Sequence, residues 1–241
     1  MDEAAAALKG ARSVFVLTGA GMSAESGLPT FRGAGGYWQS HRFEDLASPQ
    51  GFARDPQLVW RWYNERIRAY ADARPNAGHE ALARMQDRFE RFTIATQNVD
   101  SLHARAGSRD VIELHGHLRE ARCTKCEAPR SLEGGLPDDE LHHTCGGMMR
   151  PCVVWFGEQL PEGAWERAAQ AAMDADVVLV VGTSAVVYPA AALASVNERA
   201  CIIEINPDAG AAGAHLTIRE PAGVALPRIE RALRVGRTDG R

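Results

Sequence analysis

Cys123-x-x-Cys126 is followed, fifteen residues on, by His142-x-x-Cys145. Two such pairs at this spacing are how soft ligands close around one zinc ion. His143 and Cys152 compete for the imidazole position, but only His142 keeps the two-residue gap, so the expected ligands are Cys123, Cys126, His142 and Cys145. Four protein ligands leave no open position, and such a metal serves folding. A second chemistry is suggested by Gly19-Ala20-Gly21-Met22-Ser23-Ala24, which fits G-x-G-x-x-G/A directly after an apolar run. In that pattern glycines permit a tight turn and let backbone N–H groups approach a pyrophosphate. No acidic residue closes a second strand as an ordinary dinucleotide unit requires. A loop through Glu25, Gly27, Pro29, Phe31, Arg32 and Gly33 to Trp38 follows instead, and no helix could contain it. Further polar groups fall where other apolar runs stop: Gln97, Asn98 and Asp100; His115 between Leu114 and Gly116; Gly182, Thr183 and Ser184; and Asn206. Amide and hydroxyl groups there suit phosphate and ribose, and an imidazole can move a proton near neutrality. Taken singly, each has a plain structural use, Asp100 or Ser101 as a helix cap and His115 as a core histidine.

The elements that must position these groups are legible in outline. Buried β-rich runs occur at 13–18, 91–96, 110–114, 177–181 and 201–205, separated by helical patterns at 76–88, 162–175, 188–199 and 226–235, and Asp2 reads as the cap of a first helix. Strands alternating with helices form a parallel sheet covered on both faces, whose ligands gather at the carboxyl ends of the strands. Residues 37–75, aromatic and helical, and 118–152, with the cysteines, interrupt that alternation. They are expected to form a smaller domain beside a doubly wound α/β domain of residues 1–36, 76–117 and 153–241. Composition agrees with a folded chain: 45% hydrophobic and 24% charged among 241 residues. A net charge of −4, with 25 arginines and two lysines scattered and no basic run, disfavours a nucleic-acid partner. Val177–Val196 is uncharged over the length of a membrane span, but Gly182, Thr183, Ser184 and Pro189 divide it into strand, turn and helix. An odd cysteine count with no apolar leader points to a reducing cytoplasm.

Together, Gly-Ala-Gly-Met-Ser-Ala-Glu-Ser-Gly-Leu-Pro-Thr-Phe-Arg from 19, Thr-Gln-Asn-Val-Asp from 96, Leu-His-Gly from 114, Val-Val-Trp-Phe-Gly-Glu from 153 and Gly-Thr-Ser from 182 closely resemble the sirtuin family of NAD-dependent protein-lysine deacylases. The resemblance runs from about residue 13 to 235. It implies a Rossmann-like sheet with a zinc-ribbon module, and an NAD site lined by Gly19, Ala20, Glu25, Phe31, Arg32, Gln97, Asn98, Asp100, Gly182, Thr183, Ser184, Asn206 and Ala222. It implies that His115 is the catalytic base, and that Val154, Trp155, Phe156 and Gly157 pair with an acyl-lysine protein substrate bound as an extended peptide. The implied products are nicotinamide, free lysine and 2′-O-acyl-ADP-ribose. The zinc is structural, no membrane or direct nucleic-acid partner is expected, and the chain is expected to be a monomer. His142, where the family usually has cysteine, is a departure.

One feature refines the acyl group. Val59, Trp62, Tyr63, Ile67 and Tyr70 share a helical face after Asp55, and Arg66 interrupts it. Snorkelling or a salt bridge would explain that arginine. The sharper reading, by resemblance to the Tyr-x-x-Arg pair of class III sirtuins, is that Tyr63 and Arg66 bind the carboxylate of succinyl- or malonyl-lysine, with the small Ala34 leaving room. A sirtuin-like protein ADP-ribosyltransferase is the competing enzyme, opposed by His115 and the peptide-binding segment. A dehydrogenase and a non-enzymatic partner-binding ribbon fit less well.

Overall fold

The computed structural model describes residues 1–31, 42–208 and 213–234. Six parallel strands form the larger sheet in the order β3-β2-β1-β7-β8-β9, namely Val111–Glu113, Arg91–Thr96, Ser13–Thr18, Val177–Val181, Cys201–Ile205 and Leu216–Ile218. The inner strands are nearly continuous Val, Ile, Leu and Phe because both faces are covered. One apolar core gathers Val16, Ile94, Leu179 and Ile203 under the helices α1 (Asp2–Gly10), α5 (Ala77–Met85) and α8 (Ala222–Arg234). The opposite face buries Phe15, Leu17, Val178 and Val180 beneath α7 (Ala164–Met173).

Register is what matters for the site. Thr18 is level with Thr96 and with Val181, and Val181 is level with Ile205. Four strands therefore stop on one line, and the residues following them, Gly19, Gln97, Gly182 and Asn206, emerge side by side. The chain winds outward from β1 through β2 to β3, then returns to β1's other side for β7, β8 and β9. The crevice at that reversal is where open α/β sheets bind ligands.

The two interrupting stretches share one core. Helices α2 (Phe43–Leu46), α3 (Pro49–Arg54) and α4 (Pro56–Asp72) pack Phe52, Val59, Trp60 and Ile67 against Leu118, Leu132, Leu136 and Met149 of the cysteine-bearing segment. That segment is an antiparallel sheet, β5-β4-β6, of Pro129–Ser131, Gly116–Cys123 and Met149–Val153. Trp60 Nε1 donates to the Met149 carbonyl at 2.8 Å, and Asn64 exchanges two hydrogen bonds with the backbone of Leu136. Asp55 caps α4 by accepting from the Leu58 N–H, with Pro56 in the first turn.

Three local expectations are corrected. Met1, not Asp2, is the N-cap of α1, and Asp2 lies in the first turn, where its charge still complements the helix dipole. The helix expected at 188–199 shrinks to a 3₁₀ turn, Ala190–Ala194, because the Asn197 amide donates instead to the Met173 and Ala175 carbonyls at the end of α7. Ala20–Ser26 is a 3₁₀ helix closed by Gly27 in the left-handed region, so the irregular loop begins later than the sequence suggests.

Candidate active site

A cleft of about 680 Å³ runs between the two cores and is lined by the residues that follow the four level strands. Gly19, Ala20, Glu25, Phe31, Gln97, Asn98, His115, Gly182, Thr183, Ser184 and Asn206 all face it. Its floor is backbone on backbone. A Cβ on Gly21 would stand 2.8 Å from Gly182 Cα, and Gly182 itself has φ +58°. The Gly21 N–H donates to the Gly182 carbonyl at 2.8 Å, so that glycine joins two loops and its N–H is not offered to a phosphate.

A buried network fixes the amide of Asn98. Its Nδ2 donates to the Gly19 carbonyl at 3.0 Å and to Ser23 Oγ at 3.2 Å, while Ser23 Oγ donates to Asp100 Oδ2 at 2.7 Å. Both amide protons are thereby spent inside the protein, leaving Oδ1 as the group that can meet a ligand. Asp100 does not line the cleft. It lies behind Asn98 with Oδ1 accepting from the Leu102 N–H, so it braces the amide and also holds the first turn of the short helix Leu102–Arg105, whose N-cap is Ser101. Burial pushes its carboxyl above the usual range, opposed by those two hydrogen bonds. Ala222 is also off the cleft, buried in the core at the start of α8 beside the cleft-lining Pro221. Glu25 faces the cleft but its carboxylate accepts from the Gly223 N–H at that helix's N-terminus. Arg32 and Ala34 lie outside the described residues. Ser23 was missed by sequence reasoning, although its place in the glycine-rich turn was the available signal.

Gln97 Nε2 donates to Thr183 Oγ1 at 3.0 Å, and Asn206 Nδ2 to the Thr183 carbonyl at 3.2 Å, which ties three strand ends together. His115 Nδ1 lies 3.1 Å from the Gln97 carbonyl. A carbonyl only accepts, so Nδ1 carries the proton and Nε2 of the neutral ring holds the lone pair. Burial lowers the His115 pKa below the ordinary value, against the pull of that hydrogen bond, so the ring is neutral at pH 7. Beyond it, the Val154 N–H donates to the His115 carbonyl at 2.9 Å, which holds the Val154–Gly157 segment along the cleft.

Tyr63 and Arg66, one turn apart on α4, reach the same cleft from the smaller core. Arg66 does not snorkel, being only 3% exposed. Its guanidinium stands 4.8 Å from the Phe31 ring centre, 4.5 Å from that of Trp62, and hydrogen-bonds Tyr70 Oη.

Residues 19–189 match the Sir2 family. The chain belongs to the Sir2 family. It is 46% identical over 98% of its length to an NAD-dependent protein deacylase of Methylococcus capsulatus, 98% of which is covered. It superposes on a Sir2 homolog–NAD complex with a TM-score of 0.91 at 43% identity, covering 98% of this chain and 94% of that one. A Sir2–p53 peptide–NAD+ complex gives 0.85 at 31%, covering 97% and 98%.

The Sir2 fold's cysteine module corrects the sequence reading at one ligand. Cys123, Cys126, His143 and Cys145 bring their ligand atoms within 4.8 Å of one another, whereas His142 is exposed and bridges Met148 through its backbone. The reason is a tight turn in which the Gly146 N–H donates to the His143 carbonyl and the His143 N–H to the Gly147 carbonyl. That turn folds His143 Nδ1 to within 3.2 Å of Cys145 Sγ across a single intervening residue. Three thiols and an imidazole converging in this way fit tetrahedral zinc. Cys152 lies on β6 outside the cluster.

Beneath this Sir2 site two histidines are buried together, with ring centres 4.8 Å apart. Burial lowers the pKa of His79 to about 4 and of His103 to about 3. The folded state thus disfavours their protonation. The stability they confer is complete above pH 6.5 and declines as pH falls toward those values. Each should contribute a slope of about 1.4 kcal/mol per pH unit in that window. Denaturant midpoints measured from pH 7 to 4.5 should fall more steeply for the parent than for His79→Gln; equal slopes would show that the imidazoles charge without cost.

Proposed function

We infer that this chain is an NAD-dependent protein-lysine deacylase that favours acyl groups ending in a carboxylate. Bound NAD supplies an activated glycosidic bond whose cleavage drives acyl transfer. The chain's own groups fit that cofactor. Asn98 Oδ1, with both amide protons committed to Gly19 and Ser23, is set to accept from a carboxamide. Thr183, Ser184 and Asn206 supply hydroxyl and amide groups for the ribose and phosphates. His115, neutral and with Nε2 as its lone-pair nitrogen, takes a proton from a ribose hydroxyl. The backbone of Val154–Gly157 receives the substrate as an added strand, a mode that reads main chain and tolerates many side chains. Five free cysteines suit a reducing compartment, the cytoplasm, and among the described residues no helix is long and apolar enough to cross a membrane.

The observation that carries the acyl preference is a buried guanidinium beside a phenol at the cleft wall. Tyr63 and Arg66 together can meet a carboxylate with charge-assisted hydrogen bonds in a partly desolvated pocket. Such a contact is worth about 1.5–3 kcal/mol. Arg66→Met should therefore lower kcat/KM for a succinyl-lysine peptide by about ten- to a hundredfold, and for an acetyl-lysine peptide far less. The test is incubation with NAD and acetyl, malonyl and succinyl peptides, following nicotinamide and acyl-ADP-ribose by mass. ADP-ribose retained on protein, with no acyl-ADP-ribose, would instead indicate a protein ADP-ribosyltransferase. Equal loss on both acyl groups in a folded variant would remove the carboxylate preference.

A further inference from the structure

The indole of Trp155 lies below the acyl wall and touches the one hydroxyl that distinguishes that wall. Trp155 Nε1 is 2.9 Å from Tyr63 Oη, and the two residues are 2% and 4% exposed. An indole nitrogen can only donate. Tyr63 Oη must therefore accept from it, and the single phenolic proton has to point elsewhere. Among the described residues no acceptor for that proton is recorded, and the open direction is the cleft that Tyr63 and Trp155 both line.

The indole is itself locked. The Arg150 guanidinium lies 3.8 Å from the centre of its ring, and Phe52 packs at 5.1 Å. Arg150 makes a two-point pair with Glu158 at 2.6 and 2.9 Å, and the same Glu158 accepts from the Trp155 N–H at 2.9 Å. This clamp closes the turn after Trp155, where the Glu158 N–H donates to the Trp155 carbonyl and Gly157 adopts φ +88°. The ring cannot turn over without breaking both the clamp and the hydrogen bond.

We propose that Trp155 is a positioning residue for acyl selectivity: its indole N–H obliges Tyr63 to present a proton, never only a lone pair, to the distal end of the acyl chain. A phenol free to rotate would serve a terminal donor or a terminal acceptor alike. A phenol held in this way suits an acceptor-only group, and a carboxylate is one. The argument rests on the carboxylate reading of the Tyr63/Arg66 wall, and adds to it the element that sets the direction of the phenol.

The test compares kcat/KM for succinyl and acetyl peptides in Trp155→Phe, Tyr63→Phe, the double variant and Arg66→Met. The ratio is the readout, because any effect of Trp155→Phe on peptide binding in common cancels in it. Trp155→Phe keeps an aromatic ring under Arg150 and removes the donor, and the succinyl-to-acetyl ratio should fall by about three- to tenfold, the worth of one neutral hydrogen bond. In the Tyr63→Phe background the same change should move the ratio less than twofold, since no hydroxyl is left to direct. An unchanged ratio in Trp155→Phe, or an equal fall in both backgrounds, overturns the proposal while a selective loss in Arg66→Met leaves the carboxylate reading standing. A non-selective loss in Arg66→Met overturns both. Should Trp155→Phe fold poorly, the indole N–H resonance of ¹⁵N-labelled protein gives the same answer. Tyr63→Phe should shift it strongly, and an unmoved resonance defeats the proposal.

Discussion

His115→Ala should fold like the parent and lose about 10²–10⁴-fold of its deacylation rate, the usual worth of a positioned general base. Among the described residues the imidazole makes a single hydrogen bond, from Nδ1 to the Gln97 carbonyl, so its removal costs the fold little. Thermal melting within a few degrees of the parent, together with retained NAD binding, would isolate the loss to the proton transfer. The parent's kcat/KM should hold across neutral pH and decline only on acidification below the ordinary histidine range, because burial lowers the pKa and keeps the base unprotonated. Full turnover by the folded variant, or an acidic limb starting above pH 7, would remove His115 from the chemistry.

The second large effect concerns the metal. One zinc per chain should be found in the parent and in His142→Ala, and should be lost from Cys123→Ser and His143→Ala. Cys123 is buried in the core of the smaller unit, in the same cluster as Leu118, Leu132 and Met149, so losing the metal also opens apolar packing. Removing about 4 kcal/mol from a chain of this size lowers Tm by roughly 8–16 °C, and zinc sites in small modules are worth more than that. Metal content by mass spectrometry and melting temperature should fall together. Stoichiometric zinc in His143→Ala with none in His142→Ala would restore the ligand that spacing alone suggests.

That ligand marks where sequence reasoning stops. The inner strands of the large sheet were legible because runs such as Val177–Val181 have one physical use, burial on both faces. With them came the strand-end residues Gln97, His115, Thr183 and Asn206, which need no knowledge of side-chain direction to be placed. His142 and His143 differ by one position, and the choice is made by a turn whose hydrogen bonds close on Gly146 and Gly147. Asp100 and Ala222 sit one layer behind the residues that face the cleft, a depth that a linear motif does not encode. Trp155 and Tyr63 meet across 92 residues of chain, and no local pattern announces such a pair. The Tyr63/Arg66 face was legible because a cation within an apolar helical stripe is costly unless something is built around it.

The contact between Gly21 and Gly182 has a consequence for how this molecule can change. With a Cβ at either position driven into the opposite main chain, the base of the cleft admits no alphabet of alternatives, and a library randomised there should return almost only the parent residues. Its rim is different: Val186 and Tyr188 are 54% and 76% exposed, so substitution there disturbs little packing. Preference for the residues flanking the modified lysine can therefore drift, or be engineered, by repainting that border while the reaction below stays as it is.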